Sequence, residues 1–138
     1  MIVLDTNVIS EMMSSSPDRE VLTRLDSIAE PPYITAISAA EIRFGIAVLP
    51  RGTRRRRLDE AFERVLSVMG DDRIVPFDAR ASNDYSDIAA ARRAAGRSIT
   101  VLDAMIAGIC RSRGAVLFTG NTRDFDGTGV EILNPWID

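Results

Sequence analysis

The chain has 138 residues, of which 46% are hydrophobic and 27% are charged, as is typical of a single soluble globular domain. It contains no histidine, no lysine and one cysteine, Cys110. These absences exclude Ser-His-Asp and Cys-His triads, lysine nucleophiles, and zinc sites built from histidines or several cysteines. Any catalysis must therefore use carboxylates, hydroxyls, arginines or a bound metal.

Composition also limits the location and the partners of the protein. No stretch of about 18 apolar residues predicts a membrane span, and the apolar run before Asp5 is too short for a signal peptide. With a single cysteine there is no internal disulfide, so we expect an intracellular, cytoplasmic protein. The net charge of −3 gives no general attraction to nucleic acid. Such contacts would need a local cluster, for which Arg51 and the arginines at 54–57 are the candidates, although a charged run is also typical of a solvated helix.

Short apolar segments alternate with helical segments along the whole chain. Strands are predicted at residues 2–4, 33–36, 73–77, 115–120 and 130–133. The spacing of apolar residues predicts helices at 6–13, 17–30, 38–49, 53–69, 79–95 and 99–113. This alternation predicts one α/β domain with a parallel sheet and helices on both of its faces.

Capping residues predict several helix boundaries. Ser16 followed by Pro17 predicts one helix start, Ser38 predicts a second and Asp78 a third. Gly96 and Gly114 predict helix ends.

Polar and acidic residues follow the predicted strands where a parallel sheet gathers functional groups. Asp5 comes directly after the first strand, and Asn121 and Asp124 follow the fourth. The carboxyl ends of parallel strands share one edge of the sheet. Asp103 lies instead in the first turn of the last helix, so the two Val-Leu-Asp segments are predicted to be different local structures.

Each acidic residue also has a purely structural interpretation, without a role in catalysis or metal binding. Asp5 could cap the helix that follows it, and Glu41 could be exposed to solvent. Asp103 could cap its own helix, although an unpaired carboxylate among apolar neighbours is unfavourable. Asp124 and Asp126, next to a glycine, are typical turn residues.

Considered together, the acids indicate a bound cation. Three or four carboxylates that converge at one end of a sheet raise each other's pKa unless a cation neutralises them. Because histidine and cysteine ligands are missing, the matching ion is a hard one such as Mg²⁺ or Mn²⁺. Mg²⁺ usually takes one or two carboxylates directly, which leaves the others to orient water or to bind a second ion.

The chain resembles the PIN-domain family in four segments that occur in the family's order. They are "IVLDTNVISE", "ISAAEIRFG", "VLDAMIAG" and "FTGNTRDF", the last followed by "GVEILNPW". Their order and spacing are similar to those of VapC toxins, and "DTNVISE" and "NPW" are most similar to the FitB-like branch. The resemblance implies one PIN domain over residues 1–138, folded as a three-layer α/β/α sandwich whose mainly parallel central sheet has four to five strands.

The resemblance further implies a Mg²⁺- or Mn²⁺-dependent ribonuclease. By position, Asp5, Glu41 and Asp103 match the three acidic residues of the family. Asp5 and Asp103 would hold the metal, directly or through water.

A fourth position departs from the family's pattern. The family often has an acid where this chain has Asn121. Asp124, or a water held by Asn121, could take that role. Thr6 and Thr119 would be supporting hydroxyls of the same site.

The resemblance also implies protein partners. A VapB-like antitoxin would place its C-terminal segment across the active site, and operator DNA would be bound only through the antitoxin's N-terminal part. VapC-like toxins generally form homodimers. The apolar residues of segments 17–30 and 37–49 are compatible with a dimer surface, and equally with burial in the core.

Other functions fit the sequence less well. A phosphatase of the haloacid-dehalogenase type needs a second acid where Asn7 stands and a lysine that the chain lacks, and a receiver-like phosphoacceptor fails for similar reasons. The remaining alternative is an inactive PIN-like module that binds RNA or a protein partner. Asn121 favours this alternative, whereas Asp5, Glu41 and Asp103 speak against it.

Overall fold

A computed structural model describes all 138 residues, and a parallel five-stranded sheet lies at its centre. The strands are β1 (Ile2–Leu4), β2 (Tyr33–Thr35), β3 (Ile74–Val75), β4 (Val116–Phe118) and β5 (Glu131–Leu133). They lie in the order β3-β2-β1-β4-β5, and every pairing is parallel. The predicted sheet is therefore confirmed, although its strands are short. β3 ends before Pro76, whose nitrogen has no hydrogen to donate to a neighbouring strand.

Six α-helices connect the strands and cover both faces of the sheet. They are α1 (Thr6–Met13), α2 (Arg19–Asp26), α3 (Ala36–Ala47), α4 (Thr53–Met69), α5 (Ala79–Ala94) and α6 (Val101–Arg113). A 3₁₀ helix, Thr122–Phe125, follows β4. Helices α1 to α4 pack on one face and α5 and α6 on the other, which confirms the three layers. No helix combines the length and the apolar character needed to cross a membrane.

Alternating residues of the strands form two cores. Leu4, Ile34 and Phe118 pack against α1 to α4. Val3 and Leu117 pack on the opposite face, against α5 and α6. Successive strand residues point to opposite faces, so a sheet covered on both faces needs apolar residues throughout its strands. The ends of β1 and β4 consequently lie in the middle of the molecule.

Helix α2 begins and ends at residues other than those predicted. Asp18, and not Ser16, is the cap: its Oδ1 accepts the backbone N–H of Glu20 at 2.8 Å. Pro17 lies outside the helix. A carboxylate is favoured over a hydroxyl at the positive end of a helix, which explains why Asp18 caps the helix and Ser16 does not. The helix ends at Asp26, before the predicted boundary.

Helix α3 begins before its predicted cap, Ser38. The cap is Thr35, the last residue of β2, whose hydroxyl accepts the backbone N–H of Ser38 at 3.0 Å. The prediction was wrong because one residue both ends a strand and caps a helix. As a result, α3 starts at the edge of the sheet and carries Glu41 in its second turn.

Helices α5 and α6 pack with their backbones close together. A Cβ atom on Gly108 would lie 2.7 Å from the carbonyl oxygen of Ala81, so no larger residue fits there without a shift. The predicted start of α5 and the predicted end of α6 are confirmed, whereas α6 begins at Val101, after its cap Thr100, and not at residue 99. Asp78 caps α5, and Gly114, with a φ of 62°, follows the end of α6. This contact sets where α6, and with it Asp103, lies against the sheet.

Candidate active site

The strand order reverses between β1 and β4, at the centre of the sheet. β2 and β3 lie on one side of β1, and β4 and β5 lie on the other. Such a switch point leaves a crevice beyond the carboxyl ends of the strands. Here the crevice is a cleft of about 260 Å³ with no apolar residue in its lining. The lining residues are Asp5, Thr6, Asn7, Ser10, Glu41, Asp103 and Asn121.

Asp5 lies directly after β1 and is only 4% exposed. Its Oδ1 accepts the backbone N–H of Thr6 at 2.8 Å, which confirms its N-cap role. Its Oδ2 accepts the hydroxyl of Thr119 at 2.7 Å and Nδ2 of Asn7 at 3.1 Å. A carboxylate can accept about four hydrogen bonds, so these three leave room for one further partner.

The loop after β4 is fixed against Asp5 by two side chains. The buried Thr119 hydroxyl donates to Asp5 and accepts the backbone N–H of Asn121 at 3.0 Å. Asn7 donates to Asp5 and accepts the backbone N–H of Gly120 at 3.1 Å through its Oδ1. The loop and the carboxylate are therefore held as one hydrogen-bonded unit.

Glu41 reaches the cleft from α3. Its Oε1 accepts the hydroxyl of Thr6 at 3.1 Å, and that hydroxyl is also 3.0 Å from the hydroxyl of Ser38. The Glu41 side chain therefore faces the cleft, half-buried, and its Oε2 makes no hydrogen bond within the chain.

Asp103 reaches the cleft from the first turn of α6. Thr100 is the cap of this helix, and its hydroxyl accepts the backbone N–H of Asp103 at 3.2 Å. The alternative reading of Asp103 as a cap is therefore wrong. The two Val-Leu-Asp segments do differ locally, as predicted: one ends a strand and the other begins a helix. Both place a carboxylate on the same cleft.

The pKa values of these three carboxyl groups are all raised above their ordinary values. Burial is the largest cause in each case. Neighbouring charge adds to it: Asp124 raises the pKa of Asp5, and the charges of Asp5 and Asp103 raise the pKa of Glu41. Hydrogen bonds, above all the one from Thr119, act in the opposite direction on the pKa of Asp5. The protein's own groups thus leave the negative charge of the cleft incompletely compensated.

The side chains that line the cleft fit a hard cation. All of them carry oxygen atoms, and none is a thiol or an imidazole. No group of three or more Asp, Glu or Cys side chains lies close enough together to enclose an ion. This arrangement matches a cation such as Mg²⁺, which takes one or two carboxylates and keeps several waters, and it does not match a closed cage.

Asn121 and Asp124 lie at different places around the cleft. Asn121 belongs to its lining, whereas Asp124 does not. The charge of Asp124 nevertheless raises the pKa values of both Asp5 and Asp103. The 3₁₀ turn that carries Asp124 is fixed by the buried Arg92, whose Nη1 donates to the Asp124 carbonyl at 3.1 Å. Asp124 is thus an exposed charge near the cleft, whereas Asn121 lines the cleft itself.

Sequence reasoning missed two residues of the cleft, Asn7 and Ser10. They lie three positions apart on α1, and therefore on one face of that helix. A signal was available, because these polar residues interrupt the apolar pattern that Val8 and Ile9 begin. It was overlooked because each polar residue alone is ordinary near the start of a helix.

Trp136 supports the loop after β4 from outside the cleft. A Cβ atom on Gly120 would lie 2.9 Å from the indole ring, so the ring packs directly on the backbone of this loop. Within this C-terminal segment, the backbone N–H of Trp136 donates to Oδ1 of Asn134 at 3.0 Å. The "NPW" segment therefore has a structural role next to Thr119 and Asn121.

The arginine cluster lies at the start of α4. Its exposed members are Arg51, Arg54, Arg56 and Arg57. Arg55 is half-buried and donates to the carbonyl of Leu49 at 3.4 Å. Arg57 lines a second cavity, which shares lining residues with the acidic cleft.

The comparison with known families agrees with this architecture. The sequence model of the family described as PIN domain matches residues 2–130 of this chain. The chain therefore belongs to the PIN-domain family.

Within that family, the chain is similar to VapC and FitB proteins. It is 40% identical over 137 residues to the VapC ribonuclease Y4jK of Sinorhizobium fredii, covering 99% of this chain and 98% of the relative. It is 36% identical to the toxin FitB of Neisseria gonorrhoeae, and the match covers all of both chains. The crystal structure of FitAcB from Neisseria gonorrhoeae superposes with a TM-score of 0.90 at 34% identity, covering 100% of each chain. The resemblance to VapC toxins of the FitB-like branch is confirmed.

Proposed function

We propose that this protein is a metal-dependent endoribonuclease that acts as the toxin of a toxin–antitoxin pair. The observation that carries the proposal is the placement of Asp5, Glu41 and Asp103 around one cleft, each with a raised pKa. The similarity to a VapC ribonuclease and to the toxin FitB supports the same class.

The cofactor in this proposal is Mg²⁺ or Mn²⁺, with Asp5 and Asp103 as its ligands, directly or through water. When bound, such an ion lowers the pKa of a coordinated water and offsets the charge that develops on phosphate oxygens. Asp5 suits the role because its hydrogen bonds to Thr6, Asn7 and Thr119 hold it in one orientation and leave room for one further partner.

Glu41 is the residue that we assign to positioning the attacking water. Thr6 holds Oε1, and Oε2 is left to accept a hydrogen bond from that water. Burial and the neighbouring acids raise the pKa of Glu41, which makes its carboxylate a stronger base than that of a solvated glutamate. Asn121, in the cleft lining, can orient the same water or a phosphate oxygen, and Asp124 is the alternative fourth residue.

Attack by water does not use the RNA 2′-hydroxyl as the nucleophile. We therefore propose products that carry a 5′-phosphate and a 3′-hydroxyl. Arginines of the cluster at the start of α4 would contact the RNA backbone.

The proposed partners follow from the same class. A VapB-like antitoxin would cover the cleft with its C-terminal segment, and operator DNA would be contacted only through the antitoxin. In support, a structure described as FitAB bound to an IR36 DNA fragment is similar to this chain, with a TM-score of 0.89 and 35% identity. Exposed Phe44 on α3 and exposed Val48 directly after this helix support a homodimer surface. The proposed location is the cytoplasm, where RNA is available.

RNA cleavage tests the proposal. We expect the purified protein with Mn²⁺ to cut structured or unstructured RNA, and EDTA to abolish the cleavage. The isosteric changes Asp5→Asn and Asp103→Asn should each reduce the rate by about 100-fold or more, because each removes a charged oxygen ligand. Asp71→Asn is the matched control, since Asp71 is an exposed loop acid that does not line the cleft.

The second candidate is an inactive PIN-like module that binds RNA or a protein partner. It is favoured by an amide, Asn121, in the cleft position where the family often has an acid. RNA binding without cleavage at any Mn²⁺ or Mg²⁺ concentration would favour this candidate. Undiminished cleavage by Asp5→Asn or Asp103→Asn would contradict the site assignment.

A further inference from the structure

A second cavity adjoins the acidic cleft, between α1, α3 and α4. It has a volume of about 370 Å³ and shares Thr6, Ser10 and Glu41 with the cleft. Because these residues belong to both linings, the two cavities form one groove. A single-stranded RNA bound in the cleft can therefore continue directly into the second cavity.

The second cavity combines phosphate-binding and apolar groups. Ser14, Ser15 and Arg57 belong to its lining, together with the apolar residues Met13 and Leu58. Arginine and hydroxyl groups are the usual contacts of backbone phosphates, and apolar side chains can contact a ribose or a base. This combination suits one nucleotide unit.

Arg57 is not engaged with the rest of the chain. None of the six salt bridges includes it, and it donates none of the side-chain hydrogen bonds made by arginines. By contrast, Arg43 pairs with Glu63 at 3.3 Å, and Arg55 donates to the Leu49 carbonyl. A guanidinium that lines a groove without a partner is available to an anion.

We propose that Arg57, with Ser14 and Ser15, binds the RNA phosphate next to the scissile one. This inference rests on the proposed ribonuclease function and assigns the path of its substrate. The acids of the cleft repel a polyanion, and the net charge of −3 gives no compensating attraction, so a cation beside the cleft is needed.

The lining of the second cavity also indicates the kind of contact. It contains no aromatic residue, so bases cannot stack there. The proposed phosphate subsite therefore contacts the RNA backbone and accepts RNA of different sequences. The rival occupant is a peptide segment, which a binding measurement with the antitoxin's C-terminal segment distinguishes.

The test measures RNA binding without cleavage. The fluorescence anisotropy of a labelled, short single-stranded RNA is followed in EDTA for the wild type, Arg57→Gln and Arg64→Gln. Arg64 is the matched control, because it is an exposed arginine on the same helix, two turns further along and outside the cavity. Arg57→Gln should weaken binding about tenfold and lower the slope of log affinity against log salt by about one, with Arg64→Gln unchanged.

Two results would overturn the proposed phosphate subsite. One is equal weakening of RNA binding by Arg57→Gln and Arg64→Gln, which would indicate diffuse attraction. The other is unchanged RNA binding by Arg57→Gln. If the same variant also loses binding of the antitoxin's C-terminal segment, the groove is assigned to a peptide. Arg57→Lys, which keeps the charge, should recover part of the affinity, and a wild-type melting curve for Arg57→Gln excludes misfolding as the cause.

A cleavage assay separates this proposal from the one on which it rests. If the wild type cleaves RNA and Arg57→Gln binds and cleaves it equally well, the ribonuclease proposal stands and the subsite is overturned. If Arg57→Gln selectively weakens RNA binding but the wild type cleaves nothing, the subsite is supported and the ribonuclease proposal fails.

Discussion

The hydroxyl of Thr119 donates a 2.7 Å hydrogen bond to Oδ2 of Asp5, across the switch point of the sheet. The two residues are 114 positions apart in the sequence, and both are buried. The bond lowers the pKa of Asp5 and so opposes the effect of burial. The ionisation of Asp5 at the end of β1 therefore depends on a residue at the end of β4.

Replacing Thr119 by valine should change the pH dependence of RNA cleavage. Thr119→Val keeps the shape but removes the hydrogen bond, so the pKa of Asp5 rises and the acidic limb of the rate profile moves to higher pH. The cleavage rate at neutral pH should fall by about tenfold, the usual effect of losing a hydrogen bond to a charged group. Single-turnover rates measured against pH check this expectation. Thr119→Ser keeps a hydroxyl and should retain the wild-type profile; identical profiles for valine and serine would contradict the role of the bond.

Much of the fold was predictable from the strands. The apolar runs of β1 and β4 require cover on both faces of the sheet, and this fact predicts parallel pairing and three layers. The order of the strands was not predictable, because nothing local to β1 indicates that β4 is its neighbour. The starts of α2 and α3 were also wrong, since Asp18 and Thr35 compete with nearby serines as caps and only the folded geometry decides between them.

The site was predictable in part for a related reason. Asp5 follows a strand, so its place at the sheet edge could be derived from the sequence. Asp103 lies on a helix, and its approach to the cleft depends on how closely α6 packs on α5 at Gly108. Asn7 bridges Asp5 and the loop after β4, a contact that no local pattern indicates.

Removing the charge of Asp103 should stabilise the protein when no metal is present. Because burial raises the folded-state pKa of Asp103 above its ordinary value, the native state binds this proton more tightly than the unfolded state does. That stabilising contribution is present below the unfolded pKa and is lost as the pH rises through the folded pKa. In EDTA, Asp103→Asn should therefore melt a few degrees above the wild type at neutral pH and gain nothing near pH 3. Thermal melting monitored by circular dichroism measures the difference, and a gain that does not change with pH would contradict this account.

The close contact of α5 and α6 should make Gly108 intolerant of alanine. The added Cβ atom would meet the Ala81 carbonyl, and overpacking of this kind lowers the free energy of unfolding by about 1–3 kcal/mol. Gly45 on α3 is the matched control, because a Cβ atom there has no neighbour within 4 Å. Gly45→Ala should stabilise the helix by up to about 1 kcal/mol. Urea denaturation of the two variants checks the opposite signs, and equal effects would contradict the packing argument.

Cys110 should be inert in the folded protein. Burial raises the pKa of its thiol to about 12, so almost no thiolate is present at neutral pH and no reagent reaches the sulfur. Labelling with a thiol reagent should be slow in buffer and complete in denaturant. Rapid labelling of the native protein would show that α6 opens without global unfolding.

The most direct test of the central claim compares bound Mn²⁺ with RNA cleavage at the same Mn²⁺ concentrations. Electron paramagnetic resonance gives the bound fraction, and a labelled RNA gives the rate, for the wild type, Asp5→Asn and Asp71→Asn. We predict that bound Mn²⁺ and cleavage rise together in the wild type and in Asp71→Asn, and that both are lost in Asp5→Asn. Cleavage that persists in EDTA, or an Asp5→Asn protein that binds Mn²⁺ and cleaves RNA as the wild type does, would contradict the claim.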